Sequence, residues 1–303
     1  MNEQVTIVAV RVRGRLAAMA ASLLLLAGSS VDVKAETPAD ITGMPADSSF
    51  VCRMLDECRQ QPATSNFPLF FARHFLARPY VASTLEVNDE ERLVVNTREL
   101  DCTTLVENVT ALTLCAYRHL YTYRDYLNML VSLRYRSGIM NGYASRLHYF
   151  TDWILDNEKK GNVSEIQRPD PPFSAVQTIS VNYMSTHSDK YKALRQHPAS
   201  VADIARAEKY LSGMTFRYIP KQKVLNTAAM RRAVKDGDII AITCKKPGLD
   251  IAHLGFAVWR KDGVHLLNAS MIHKKVVEEP MTLGQYLQKH PSHTGIRIVR
   301  INR

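Results

Sequence analysis

The sequence lacks the patterns that define several common classes of protein. Its five cysteines and ten histidines never fall in the spacing of a zinc site. No run of lysine and arginine with interleaved aromatic residues is present, which argues against a nucleic-acid partner. No internal repeat occurs, and beyond the N-terminal segment no stretch is apolar enough to span a bilayer. We therefore expect a globular chain without a metal site or a stable membrane span.

The composition is that of a basic globular protein. Of the 303 residues, 46% are hydrophobic, enough to bury a core, and the formal net charge is +10. This length suits one large domain or two small ones. The basic balance indicates either an anionic partner, such as an acidic glycan, an acidic peptide or an anionic membrane, or simply a solvated basic surface.

The N-terminus has the features of a signal peptide over residues 1–35. A positive region with Arg11, Arg13 and Arg15 precedes the apolar residues 16–28, which are too few to span a bilayer comfortably. Small residues before position 36 fit a cleavage site, and no cysteine follows that would mark a lipoprotein. We expect a periplasmic or secreted mature chain. An uncleaved anchor or a buried helix is the alternative.

The order of the predicted elements indicates an α+β fold, with a helical N-terminal half packed on a C-terminal antiparallel β-sheet. Residues 36–62 are polar and mixed and are predicted to be a lead-in segment before a single catalytic domain at 63–303. Apolar periodicity predicts helices at 67–80, 101–120, 123–133, 143–156 and 201–211. The stretch 157–175 is predicted to be a loop. Alternation predicts strands at 236–244, 251–259, 263–270, 274–279 and 295–301.

Among the cysteines, Cys102 has the setting of a nucleophile. Asp101 is a good N-cap residue, which places Cys102 in the first turn of a long helix. The positive end of the helix dipole favours a thiolate and is expected to lower the thiol pKa. Cys52 and Cys58 either form a disulfide or stay free. The remaining two, Cys115 and Cys244, lie in apolar runs and are predicted to be buried.

His253 is the candidate general base. It opens an alternating strand and shares a face with Gly255, whose small size leaves room for a helix end. Residues 260–263 fit a four-residue hairpin loop, which sets Gly255 opposite Asn268. Asn268 then lies on the face of His253, one diagonal step of about 7–8 Å away, whereas His265 points to the other face. We predict that Asn268 holds the imidazole in the productive tautomer.

Four short motifs occur in a fixed order: Pro79-Tyr80, Asp101-Cys102, His253-Leu254-Gly255 and Asn268-Ala269-Ser270. This order resembles the NlpC-type branch of the papain-like cell-wall cysteine hydrolases. The resemblance implies a papain-like fold with a catalytic cysteine, a histidine and a polar third residue. It also implies that the Tyr80 hydroxyl lies near the nucleophile. The alternative is that Tyr80 is an aromatic residue of the core at the end of a helix.

Longer segments resemble the N-acetylmuramoyl-L-alanine amidase-like family, first described as a domain of unknown function. They are FLARPYVASTLE, LVVNTRELDCTTLVENV, YRSGIMNGYASRLHYFTDWI and GLDIAHLGF, and the resemblance covers about residues 65–303. The SRLHY segment looks specific to this family. We interpret Arg146 and His148 as part of a cleft wall that contacts sugar or peptide, with a structural role as the alternative.

The resemblance implies cleavage of the amide between N-acetylmuramic acid and L-Ala in peptidoglycan or soluble muropeptides. Cys102 is expected to attack the lactyl carbonyl, with the Cys102 backbone N–H and Tyr80 stabilising the oxyanion. His253, held by Asn268, is expected to protonate the leaving amine and then to activate water. We expect a monomer that needs no metal or organic cofactor.

The sequence leaves three other functions open. A γ-D-glutamyl-diaminopimelate endopeptidase would use the same residues on a bond further along the peptide. A catalytically inactive wall-binding protein would lack a member of the cysteine, histidine and asparagine set, and all three are present. Acyl transfer to an acceptor other than water would require a dry cleft.

Overall fold

The computed structural model describes residues 41–303, which lie within one compact unit. The signal peptide predicted at 1–35 lies outside the described residues. No helix in the described part of the chain is long and apolar enough to cross a membrane.

The helices are concentrated in the first two thirds of the described chain. They are α1 (Pro45–Arg59), α2 (Phe67–His74), α3 (Cys102–Tyr117), α4 (Tyr123–Arg134), α5 (Phe150–Lys159), α6 (Tyr183–Thr186), α7 (Lys192–Gln196), α8 (Ala199–Leu211), α9 (Ala228–Ala233) and α10 (Leu283–Gln288).

The strands are concentrated in the last third. They are β1 (Ile41–Thr42), β2 (Leu93–Val94), β3 (Val163–Glu165), β4 (Ala175–Thr178), β5 (Thr215–Pro220), β6 (Ile239–Cys244), β7 (Ile251–Trp259), β8 (Val264–Ser270), β9 (Lys275–Glu278) and β10 (His293–Ile301).

The main sheet has the order β4-β5-β10-β6-β7-β8-β9, and β3 pairs with β10. Neighbouring strands of this sheet pair antiparallel, whereas β1 and β2 form a small parallel pair. The chain is therefore a mixed α/β protein in which helices pack on an antiparallel sheet.

Helices cover both faces of the sheet. On one face α1 to α5 bury apolar residues such as Leu105 and Val109 against Leu254 and Phe256 of β7. Each such fully buried aliphatic side chain contributes about 1.5–3 kcal/mol. On the opposite face α9 and α10 pack on alternate residues of β6 to β8 and β10. This second helical layer was not predicted, because its helices have only six residues each.

The segment predicted as a lead-in contains helix α1. Its residues Phe50, Val51, Met54 and Leu55 are buried in the same core as α3. Their spacing repeats every three to four residues, which is a helical stripe within a mostly polar segment. The segment 36–62 therefore contributes a core helix and is not merely a lead-in.

Helix α1 also decides the state of two cysteines. Cys52 and Cys58 both lie on it and are free. Six residues of helix separate their Cα atoms by about 9 Å, beyond the roughly 7 Å that a disulfide can bridge. The alternative in which these two cysteines pair is therefore wrong for this fold.

Two further predictions need correction between residues 143 and 175. The helix predicted at 143–156 begins only at Phe150, because Tyr143–Ser145 forms a short 3₁₀ turn and Arg146 is extended. The loop predicted at 157–175 contains β3, which pairs with the end of β10. Both errors come from contacts that are distant in sequence.

Candidate active site

Helix α3 fixes the position of Cys102. The Asp101 side chain accepts a hydrogen bond from the Thr104 backbone N–H at 2.8 Å, and the Thr104 hydroxyl accepts one from the Asp101 N–H at 2.9 Å. This reciprocal capping satisfies two backbone donors at the start of the helix, as predicted for Asp101. Cys102 is the first helical residue and stays partly exposed, while most of α3 is buried. The sulfur is therefore held at the tip of a rigid element.

Strand β7 lies directly against this sulfur. The Leu254 backbone N–H donates a hydrogen bond to Cys102, as does the Thr103 hydroxyl. Leu254 immediately follows His253 in β7. The tip of α3 and the start of β7 therefore meet at the two residues with the chemistry of a nucleophile and a base.

Asn268 of β8 holds the imidazole of His253. His253 Nε2 lies 2.9 Å from Asn268 Oδ1. The Asn268 amide is oriented by its other end, because Nδ2 donates to Glu279 Oε1 at 3.1 Å and to the Leu266 carbonyl at 3.4 Å. Since Oδ1 can only accept, Nε2 carries the proton, and Nδ1 is left as the proton acceptor.

The register between β7 and β8 explains this pair. Trp259 pairs with Val264 across the hairpin, and Phe256 pairs with Leu267. The predicted four-residue connection is confirmed, and it brings the two side chains to the same face. Gly255 has a different role from the one predicted, because it makes room for β8 and not for a helix end. An added Cβ would lie 2.6 Å from the Leu267 carbonyl oxygen and 2.8 Å from the Leu266 side chain.

Glu279 belongs to the same hydrogen-bonded chain. Its side chain is almost completely buried, accepts from Asn268, and lies 3.2 Å from His273 Nε2 through its other oxygen. A buried carboxylate requires such partners. Glu279 was not predicted as a site residue, because a glutamate after a short strand normally faces solvent.

The pKa of the Cys102 thiol is raised from 9.0 to about 12 by burial and by the adjacent Asp101 carboxylate. Three hydrogen-bond donors act in the opposite direction. A helix N-terminus contributes at most about 2 kcal/mol, or about 1.5 pKa units, which is less than this rise. The prediction of a lowered thiol pKa is therefore wrong. Burial also lowers the pKa of His253, against the Asn268 hydrogen bond and the Glu279 charge. The free site thus pairs a thiol with a neutral imidazole.

Two tyrosines lie in the surroundings of Cys102 and His253. Burial raises the pKa of Tyr80, and the charges of Cys102 and Asp101 raise it further. Tyr286 of α10 lies with its ring centroid 6.4 Å from that of His253, and burial and the charges of Glu279 and Cys102 raise its pKa to about 12. Tyr286 was not predicted, because α10 is too short for a clear periodic signal.

Arg146 and His148 do not have the setting expected for a cleft wall. The Arg146 side chain is only 6% exposed, pairs with Glu86 and Glu91, and lies over the Tyr143 ring. His148 Nε2 lies 2.9 Å from the Tyr143 carbonyl oxygen, and burial lowers its pKa to about 3. These contacts within the fold favour the structural alternative for both residues, and the substrate contact stays a prediction.

Across residues 41–303, no group of three or more histidine, cysteine or carboxylate side chains has the geometry to hold a metal ion. The residues around Cys102 can supply a sulfur nucleophile, an oriented imidazole and hydrogen-bond donors. Fold and site together define a mixed α/β protein with a cysteine at a helix tip beside a histidine–asparagine pair.

The model of the AmiA-like, N-acetylmuramoyl-L-alanine amidase-like family matches residues 70–296. The chain therefore belongs to this family. None of the curated proteins matches the chain.

Solved structures agree with this assignment. An N-acetylmuramoyl-L-alanine amidase from Bacteroides uniformis is 40% identical, with 78% of this chain and 98% of that chain covered and a TM-score of 0.73. A structure of a putative xylanase from Bacteroides fragilis is 42% identical, with a TM-score of 0.72. The match covers 77% of this chain and 100% of that chain. A Legionella pneumophila protein at 20% identity, with 85% and 95% covered and a TM-score of 0.67, shares the fold.

Proposed function

We propose that this protein is a cell-wall amidase that cleaves the bond between N-acetylmuramic acid and L-Ala in peptidoglycan or muropeptides. Cys102 is the nucleophile, His253 the general base and acid, and Asn268 the orienting residue. The observation that carries the proposal is the 2.9 Å contact from His253 Nε2 to Asn268 Oδ1, on the strand whose next N–H binds Cys102. Family membership and the amidase names of similar structures support the choice of bond.

The first half of the reaction forms a thioester. The Cys102 sulfur attacks the lactyl carbonyl carbon while its proton passes to Nδ1 of His253. The Cys102 backbone N–H and the Tyr80 hydroxyl donate to the oxyanion of the tetrahedral intermediate. The C–N bond then breaks, and His253 returns the proton to the departing amine of L-Ala.

The second half restores the enzyme. Water gives a proton to the neutral His253 and attacks the thioester carbonyl carbon. The C–S bond breaks, the muramoyl carboxyl group is released, and the sulfur regains its proton from His253. Because the resting imidazole is neutral, it accepts a proton in both halves without first having to lose one.

We also propose the NlpC-type, papain-like placement of this fold, since the helix-borne cysteine, the strand-borne histidine and the polar third residue occur in that order. A signal peptide at 1–35, a periplasmic or secreted location and a monomeric state complete the proposal. The signal peptide and the location rest on the N-terminal sequence pattern. The monomeric state rests on the resemblance to the family.

The xylanase name of one similar structure is not favoured for this chain. Glycoside hydrolases use two carboxylates about 5–10 Å apart, one on each side of the scissile bond. Near Cys102, Asp101 caps α3, and Glu279 is buried and holds Asn268. Neither carboxylate is free to act on a sugar bond.

Product analysis by mass spectrometry tests the proposal and separates it from its alternatives. The purified mature chain is incubated with a defined disaccharide-tripeptide, once as the soluble fragment and once within intact wall. The amidase hypothesis predicts a free disaccharide and a peptide that begins with L-Ala. A disaccharide that retains L-Ala-D-Glu would identify the endopeptidase instead. No cleavage of either substrate would favour the inactive wall-binding protein, and a muramoyl adduct of an added amine would indicate acyl transfer.

A further inference from the structure

Behind Asn268, a chain of hydrogen bonds continues to the turn between β8 and β9. Asn268 Nδ2 donates to Glu279 Oε1 at 3.1 Å, and the other carboxylate oxygen of Glu279 lies 3.2 Å from His273 Nε2. Since a carboxylate oxygen can only accept, His273 Nε2 carries a proton and is the donor of this last hydrogen bond. The proposed reaction uses His253 and Asn268, and it leaves His273 without a task.

The Glu279 carboxylate depends on the donor that His273 supplies. The Glu279 side chain is 2% exposed, whereas that of His273 is 37% exposed, so His273 is the member of the chain that meets solvent. Within residues 41–303, Asn268 and His273 are the two groups that hydrogen-bond this carboxylate. A buried carboxylate oxygen without a donor is costly. Loss of the His273 donor would therefore favour a rotation of the Glu279 side chain away from Asn268.

The backbone of Glu279 is fixed independently of its side chain. Its N–H donates to the Leu266 carbonyl oxygen at 2.8 Å, and its carbonyl oxygen lies 2.8 Å from His265 Nδ1. These contacts hold the backbone, but the side-chain torsions of a glutamate can still change between rotamers. The direction of the carboxylate is therefore set by its own two partners, Asn268 and His273.

The turn that carries His273 is anchored on two sides. The His273 backbone N–H donates to the buried Ser270 Oγ at 3.3 Å, and the Lys274 carbonyl oxygen accepts from the Tyr80 N–H at 3.0 Å. Residues 77–80 also pair with the outer edge of β9. These contacts keep the imidazole in place although much of it is exposed.

The orientation of the Asn268 amide decides the tautomer of His253. While Glu279 accepts from Nδ2, the amide oxygen is turned to His253 Nε2 at 2.9 Å and requires a proton there. With the amide turned round, Nδ2 would face Nε2, and the imidazole proton would have to lie on Nδ1. That tautomer cannot accept the thiol proton of Cys102. The Leu266 carbonyl oxygen, 3.4 Å from Nδ2, is the weaker of the two acceptors that prevent this turn.

We propose that His273 is a positioning residue that sets the tautomer of His253 through Glu279 and Asn268. This inference rests on the proposed amidase function and adds to it a residue that touches neither the substrate nor the reacting atoms. The hydrogen-bond donor at Nε2 carries the effect, so a side chain that keeps a donor there can replace the imidazole. Because the tautomer affects the chemical step, loss of the donor lowers kcat and leaves KM unchanged.

Nitrogen NMR of the protein labelled with ¹⁵N-histidine tests the inference without turnover. The His253 signals are identified by their loss in His253→Gln, and their shifts distinguish a proton on Nε2 from one on Nδ1. We expect the Nε2–H tautomer in the wild-type protein. In His273→Phe, and in His273→Ala as a second variant, the ratio of Nδ1–H to Nε2–H should rise at least about tenfold, as for one lost hydrogen bond to a charged group.

Steady-state kinetics on a defined muropeptide provide the second readout. The kcat of His273→Phe should fall about threefold or more at unchanged KM, since a displaced Glu279 also acts less on the imidazolium of His253. His273→Gln keeps an N–H donor and should retain the tautomer and most of kcat. In the Glu279→Ala background, His273→Phe should change kcat less than about twofold, because both substitutions break the same chain.

His197→Phe is the matched control. His197 Nε2 lies 3.5 Å from Glu90 Oε1, and 41% of its side chain is exposed, so the substitution removes a similar histidine–glutamate contact outside the chain that leads to His253. It should change neither the tautomer nor kcat. An unchanged tautomer ratio in His273→Phe, or an equal loss in His273→Gln, would overturn the inference. A wild-type protein that shows the expected tautomers but cleaves no muropeptide would overturn the proposed function alone.

Discussion

The rate at which iodoacetamide alkylates Cys102 at different pH values shows whether the free protein holds a thiol or a thiolate. Burial and Asp101 raise the pKa of this thiol to about 12, and burial lowers the pKa of His253. A raised thiol pKa means that the protonated form persists throughout the neutral range and is lost only as the pH approaches 12. Alkylation requires the thiolate and should therefore be slow at pH 7.

The expected magnitude follows from the two pKa values. At pH 7 about one thiol in 10⁵ is ionised when its pKa is about 12, against about 3% for a free cysteine with a pKa near 8.5. The more basic thiolate is the better nucleophile, which compensates for about 30-fold. We therefore expect Cys102 to react about 10²-fold more slowly than an exposed cysteine, with a rate that rises about tenfold per pH unit from pH 7 to pH 10.

Peptide mass spectrometry of the alkylated protein provides the assay, with exposed Cys52 as the internal reference. His253→Phe is the control variant and should leave the slow reaction nearly unchanged. A Cys102 rate that is constant from pH 5 to pH 8, exceeds that of Cys52 and collapses in His253→Phe would refute the reasoning. That result would mean that a thiolate–imidazolium pair forms before substrate binds.

Three substitutions test other parts of the structure. Glu279→Ala removes the carboxylate that holds the Asn268 amide, and we expect kcat to fall about tenfold with little change in KM, as for one lost hydrogen bond to a charged group. Glu279→Gln keeps an acceptor oxygen, so its kcat should fall less. Both values are measured by steady-state kinetics, and a wild-type kcat in both variants would contradict this role of Glu279. Gly255→Ala places a Cβ 2.6 Å from the Leu267 carbonyl oxygen, and denaturant titration should show a loss of about 1–3 kcal/mol in the free energy of unfolding. An unchanged midpoint would count against that packing. Arg146→Met removes the cation that pairs with the buried Glu91 and the partly exposed Glu86, and it should cost about 3–5 kcal/mol of stability with KM unchanged, as for one broken buried ion pair. A raised KM at normal stability would indicate a substrate contact.

Local sequence patterns were sufficient to predict the central helices and strands of the fold. Helix α3 has a capping residue and a continuous apolar stripe, and β6 to β8 alternate between turns with strong signals. Helices α9 and α10 are too short for their periodicity to stand out, and they owe their burial to the sheet beneath them. Helix α1 carried a readable stripe, but its many polar residues concealed it.

In the candidate site too, residues placed by local structure could be predicted and residues placed by long-range contacts could not. The hairpin between β7 and β8 is local, so its register and the shared face of His253 and Asn268 could be derived from turn length. Glu279 and Tyr286 join the site through contacts between separate elements, which no local pattern encodes. The thiol pKa was predicted with the wrong sign, because the helix dipole is visible in sequence while the depth of burial is not.

Turnover of a defined muropeptide by Cys102→Ala tests the central claim most directly, with Cys52→Ala as a matched loss of one exposed sulfur. The measurement is the rate of release of the L-Ala-terminated peptide. We expect release at the wild-type rate by Cys52→Ala and a loss of at least about 10³-fold for Cys102→Ala, as for other enzymes that lose their nucleophile. Release at the wild-type rate by Cys102→Ala would contradict it.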